Sequence, residues 1–264
     1  MIDRRILALL LAALARATGS DAQDFSSPVP AGPVSSPLAF IETGLAPARS
    51  GLAAEGSSTR WFALPELTTR AAALRLGFGA ARIGLGISQT GDRDLGWNAL
   101  GVAAGAAHAQ GGGAIRLALR KDRAPLLETP LGRGVGLEIG GGAWVAASRV
   151  IRMWASAPQL WKNGQSPPAT RALEIGGVLE TRGVRASISR RADPMSGGAA
   201  RTVDLGWNVG SWAASLSARD RPLRGGVGVS GGLRGLRVAA SVESHPVLGE
   251  TTMIAIGFDA GIAP

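Results

Sequence analysis

The chain contains no cysteine and no tyrosine. The first absence removes disulfides and cysteine-ligated metals in any compartment. The second leaves phenylalanine and seven tryptophans as the only aromatic residues able to mark a membrane interface. Histidine is scarce as well: His108 and His245 have no second ligand at metal spacing, which argues against a zinc or iron centre, and no cofactor is expected. Lysine occurs only at positions 121 and 162, so arginine carries nearly all of the net charge of +9. A nucleic-acid-binding chain would gather those cations on one stripe or helix face. Here they fall one or two per candidate strand, so no nucleic-acid partner is expected. No glycine run is followed by the lysine and hydroxyl of a phosphate loop. The apolar run Ile6 to Leu14 is far short of the roughly 20 residues that a membrane-crossing helix needs.

That run has a different meaning. Arg4 and Arg5 precede it and small residues follow it at Ala15-Arg16-Ala17 and Ser20-Asp21-Ala22, the layout of a secretory signal peptide over 1–22, cleaved after Ala22 or after Ala17. Residues 23–57 are rich in Pro, Ser, Ala and Gly and read as an extended segment, in which Leu38 to Ile41 forms either a first strand or a plug inside a barrel.

Residues 58–264 are dominated by a period of two. Leu74, Leu76 and Phe78 alternate with Arg75 and Gly77; Ile83, Leu85 and Ile87 with Arg82, Gly84 and Gly86; Ile115, Leu117 and Leu119 with Arg116 and Ala118. The same alternation recurs around Ile188, Leu216, Val238 and Ile256, with almost no competing helical period. Two pentapeptides occur twice, Asp-Leu-Gly-Trp-Asn at 94–98 and 204–208 and Leu-Glu-Ile-Gly-Gly at 137–141 and 173–177. Both read as strands with a greasy face (Leu95 and Trp97, Leu205 and Trp207) and a polar or small one, so Trp97 and Trp207 are expected in similar environments. In all, about 12–14 strands emerge, most near the roughly 9–11 residues of a tilted membrane strand, with short glycine-bearing turns alternating with longer polar connections. The fold class this predicts is all-β, an antiparallel transmembrane barrel.

If the greasy face meets lipid, the other face lines the lumen. The alternation puts Arg75, Arg82, Arg116, Arg120, Arg185 and Arg237 there, with Asp94, Glu138, Glu174, Asp204, Glu243 and Asp259 and several glycines including Gly96. Charges of both signs on one face favour cross-strand ion pairs over a field of one sign. The competing reading is a soluble β-rich binding module, periplasmic or secreted, whose charged face is its solvated outside. Gly228-Val229-Ser230-Gly231-Gly232 matches the pattern of a hydrolase nucleophile elbow, but that motif needs a following helix, and the residues after Ser230 read as strand. An enzyme is not expected.

On the exported start, the small-residue stretch from Gly44 to Gly56, the strand Val203-Asp204-Leu205-Gly206-Trp207-Asn208 and the alternation to Phe258, the chain resembles bacterial outer-membrane β-barrels, more loosely those of the PorV and long-chain-fatty-acid-transporter type. The resemblance implies about fourteen strands and an N-terminal segment near the lumen. It also implies an outer-membrane location, with membrane lipid, a small apolar or polar solute, and secretion or assembly machinery as partners. The resemblance assigns no residue a role.

Overall fold

The computed structural model describes residues 36–91, 96–123, 135–163, 173–193, 198–221 and 223–260. A short helix, α1 (Pro37–Thr43), precedes the strands β1 (Gly51–Arg60), β2 (Thr68–Phe78), β3 (Ala81–Gly91), β4 (Gly96–His108) and β5 (Gly111–Arg123). There follow β6 (Val135–Ala146), β7 (Ile151–Asn163), β8 (Glu174–Thr181), β9 (Val184–Asp193) and β10 (Gly198–Val209). The chain then forms β11 (Trp212–Asp220), β12 (Leu223–Leu233), β13 (Leu236–His245) and β14 (Gly249–Ala260). Each strand pairs antiparallel with its sequence neighbours and β1 pairs with β14, so the sheet closes into a barrel of fourteen strands without an edge.

The pleat decides which face each residue joins. Leu74, Leu85, Val102, Leu117 and Ile139 lie side by side across β2 to β6 as one outward row. On that face Leu85 is 50% exposed and Ile115 66%, whereas the arginines of the inner face, Arg75 and Arg82, are 0% and 2% exposed. Removing a large aliphatic side chain from water is worth about 1.5–3 kcal/mol, and rows of them face outwards on every side of this barrel. Only hydrocarbon relieves that exposure, and closure leaves no unpaired backbone edge to sit in it. The fold is therefore a transmembrane barrel, and the soluble module with a greasy interior is not what the chain forms.

The two rims differ. One carries tight turns such as Arg182-Gly183 and Arg234-Gly235, where Gly183 and Gly235 take φ of 81° and 87°, values that cost an L side chain strain. Near this rim the outward side chains include Phe78, Trp207, Trp212 and Phe258, an aromatic girdle without tyrosine. The opposite rim carries the longer connections. One of them, 61–67, folds as two 3-10 turns that place Trp61 over the lumen, its Nε1 donating to Thr69 Oγ1 at 2.8 Å.

Three expectations change. Leu38 to Ile41 is part of a helix rather than a first strand: Ser36 caps it, Pro37 fits its first turn and Gly44 at φ 70° ends it. The barrel begins at Gly51, inside the stretch read as extended segment, because Leu52 and the short chain after it find partners on both sides in β2 and β14. The Gly-Trp-Asn portions of the two pentapeptide copies, 96–98 and 206–208, also face opposite ways. Trp207 lies outward beside Val203 and Leu205, whereas Trp97 lies inward opposite Thr90, and Gly96 correspondingly stands on the outward phase. The downstream residues decide this: Leu100 and Val102 claim the lipid face of β4, and a strand with a period of two then has no choice for Trp97.

An arginine placed in the central outward row should be costly. Leu85→Arg is expected to lower folding stability in lipid vesicles by about 2–4 kcal/mol, read from denaturant titration. A wild-type midpoint for that variant would contradict the lipid-facing assignment.

Candidate functional site: the barrel lumen

The lumen is built around the segment from Ser36 to Ser50. Helix α1 packs against the inner wall of β1 to β7, where glycines remove the side chains that would otherwise stand in its way. A Cβ on Gly84 would lie 2.6 Å from Ile41 Cδ1, one on Gly101 2.5 Å from Ile41 Cγ2, and one on Gly142 2.5 Å from the Thr43 carbonyl oxygen. Phe40, Ile41, Leu45 and Ala46 fill this seat together with Ala73, Ala103, Trp144 and Trp154, a greasy cluster inside a polar barrel.

After Thr43 the segment has no strand partner, so its carbonyls need donors from elsewhere. The wall supplies them. Arg116 Nε donates to Ile41 O at 3.0 Å and Ser156 Oγ to Thr43 O at 2.7 Å. Trp144 Nε1 donates to Ala46 O at 2.6 Å. Arg82 donates through Nε to Pro47 O at 2.9 Å and through Nη2 to Ala48 O at 2.6 Å, while its Nη1 reaches Gly79 O and Ala81 O at 2.6 and 2.8 Å. These donors come from β3, β5, β6 and β7, so the segment is bound to one side of the barrel rather than hung across it.

The remaining inward charges meet across strands. Arg75 reaches over the small, buried Ala53 to Asp259 at 3.9 Å. Glu138 lies between Arg116 and Arg120, at 3.9 and 3.7 Å. Arg116 also donates to the Pro158 carbonyl, and Arg120 stands 5.9 Å from the centre of the Trp97 ring, within range of a cation–π contact. Glu174 accepts from Ser189 Oγ at 2.9 Å and faces Arg191 at 3.9 Å; Asp204 accepts from Ser187 Oγ at 2.8 Å; Glu243 accepts from Arg224 at 3.0 Å. Arg185 and Arg237 lie on the inward phase of β9 and β13 and line a lumen cavity of about 300 Å³. Asp94 lies outside the described residues. The distances rank these contacts: those of Arg82 are hydrogen bonds, whereas a separation of 3.9 Å is Coulombic proximity only.

Several inward side chains lie outside the set that the alternation singles out above. Glu55 is the foremost. It sits inward on β1, within the stretch dominated by Pro, Ser and Gly, and its Oε2 accepts from Ser36 Oγ and from Leu38 N at 3.3 Å. Arg191, Arg219 and Arg224 also join the inner face and give it an excess of arginine over acid. Their strands do alternate, so a strict count would have found them. Nothing local in the sequence separates Glu55 from a loop residue.

Two cavities follow the lumen. One of about 300 Å³ extends from the turn rim along β9 to β14 and is lined by Arg185, Ser215, Ser230, Arg237 and Asp259. The other, about 190 Å³, extends towards the loop rim and is lined by Thr59, Thr90, Trp97 and Arg120. Both are lined by Ser36, Glu55 and Met253. Ser230 lies in mid-strand on β12 without the strand-to-helix turn of a nucleophile elbow. Among the described residues no group of three or more His, Asp or Glu could hold a metal ion.

No protein-family model and no curated protein matches this sequence. Solved structures do. The Acinetobacter baumannii outer membrane protein Omp33 aligns with 80% of this chain and 99% of its own at 9% identity and a TM-score of 0.50. An engineered variant of the Rhodopseudomonas blastica porin aligns over 79% and 99% at 12% identity and a TM-score of 0.42, and the KdgM porin over 78% and 98% at 5% and 0.41. The likeness to Omp33 is one of fold. The resemblance to PorV and fatty-acid transporters stays an expectation from the sequence.

The grip on the N-terminal segment has a measurable consequence. In Arg82→Met the barrel is expected to assemble, with its cold and heated forms still separating on a gel, while the amides of Phe40 and Gly44 exchange with deuterium at least about tenfold faster, since hydrogen bonds to a charged group contribute roughly 1.5–3 kcal/mol each. Unchanged exchange at those amides would show that the guanidinium does not hold the segment.

Proposed function

We propose that this protein is a non-enzymatic pore of the outer membrane, a passive conduit for small polar solutes that its own N-terminal segment narrows. The observation that carries this reading is the pair of cavities inside a closed barrel that share Ser36, Glu55 and Met253 as lining. An interior meant only for stability would be filled by interdigitating side chains. Here Gly206, Gly228 and Gly257 with Ser215, Ser230 and Ser241 keep the wall of β10 to β14 low, opposite the side that α1 occupies. The outer membrane is supported by the shared fold with a protein described as an outer membrane protein, and by the asymmetry of short turns at one rim and longer connections at the other.

Solute character follows from the lining. Water-facing serines and charges of both signs suit small hydrophilic solutes, and the arginine excess favours anions modestly, because most arginines already stand near an acid or a carbonyl. Glu55, on the lining that both cavities share, opposes that preference with its single carboxylate.

Planar-bilayer recordings test the reading. The wild type is expected to conduct weakly, with a reversal potential in a salt gradient slightly on the anion side, and Glu55→Gln to move that potential further towards anions. Deleting residues 23–48, with Ala and Met controls at sites outside the lumen, should raise unit conductance severalfold. If neither the wild type nor the deletion conducts, the conduit is wrong.

A further inference from the structure

The outer wall carries a feature that conduction does not use. On β2 to β5, Arg70, Gln89, Asn98 and Lys121 are cross-strand neighbours in one outward row near the loop rim. The next row towards the barrel's middle is Ala72, Ile87, Leu100 and Leu119, apolar throughout and again in register. Between them lies a shallow groove of about 620 Å³ in the otherwise convex wall. The small side chain of Ala72 beside the larger Ile87 deepens it at one end.

We propose that this groove binds an acyl lipid with an anionic phosphate headgroup. The reasoning rests on the transmembrane fold and not on the pore. Arg70 and Lys121 stand three strand spacings apart, roughly 14 Å at about 4.8 Å each. Both are exposed, and among the described residues neither has a carboxylate within ion-pair distance. Cations held at that spacing, with two amides between them, offer charge and hydrogen-bond donors to phosphate and ester oxygens. The apolar row directly beneath takes an acyl chain running towards the bilayer centre. A neutral headgroup would use the amides and leave both cations without counter-charge. A soluble anion would use the cations and leave the apolar row unused. Only a molecule that is anionic at one end and oily at the other matches both rows in this order.

The test uses the full chain, purified in detergent, titrated with phosphatidic acid and separately with phosphatidylcholine and inorganic phosphate, with bound lipid counted by native mass spectrometry. The wild type is expected to retain phosphatidic acid in preference to phosphatidylcholine. Arg70→Ala with Lys121→Ala should weaken that binding about tenfold or more, since a basic residue near the surface contributes about 1 kcal/mol. Leu100→Trp, which fills the groove and leaves both cations, should weaken it comparably. Arg149→Ala with Arg182→Ala removes the same charge from the opposite rim and should leave it unchanged. An equal loss in that last variant would reduce the effect to net charge and overturn the proposal. So would displacement of the lipid by inorganic phosphate at similar concentration, or wild-type binding by both the cation and the groove variants. The pore reading stands or falls on conductance alone, so the two outcomes are separable.

Discussion

The carbonyls of residues 41–48 are the constraint around which this lumen is organised. A chain segment that neither continues a helix nor joins the sheet carries bare acceptors, and inside a barrel they lie too deep for bulk water to satisfy all of them. Arg82, Arg116, Trp144 and Ser156 meet that need with donors. The arrangement solves two problems together. A guanidinium buried to 2% exposure would be expensive if it faced only other cations, and Arg82 instead places its nitrogens on four carbonyl oxygens. The segment thereby explains the buried arginine, and the arginine holds the segment.

From that grip the division of the interior follows. Once α1 and the residues after it lie against β1 to β7, the wall beneath must be nearly flat, hence Gly84, Gly101 and Gly142. The opposite wall has no such guest. It too carries glycines on the inward phase, interleaved with serine, and there they leave space instead of receiving a side chain. One residue type thus does two jobs in one lumen, and the difference lies in what stands opposite. Opposite charges on neighbouring strands, such as Glu138 and Arg120, face each other in the wall against which the segment rests.

Much of this was legible from the alternation. The two-residue period named the fold class, the polar inner face and its arginines, because lipid outside and water inside impose one chemical rule on every strand. What it could not supply was phase where both faces are ambiguous. Asp-Leu-Gly-Trp-Asn offers a large apolar residue, a glycine and polar residues to either face, so the identical pentapeptide points Trp207 at lipid and Trp97 at Arg120. Pairing with the neighbouring strands settles the matter, and pairing is not a local property. Helix α1 was hidden for a related reason. Seven residues carry too little periodicity to outvote the surrounding prolines, and its stability comes from the wall it touches rather than from its own propensity.

Glu55 shows how the two halves of the interior are joined. Its carboxylate accepts from Ser36 and from the first turn of α1, and it lines both cavities. An acid there faces both cavities and stands at the start of the helix it holds. Had the N-terminal segment been held by apolar contacts alone, this shared lining would carry no carboxylate. Because Glu55 accepts from Ser36 and Leu38, the hydrogen bonds that tether the helix also put a carboxylate on the lining that both cavities share.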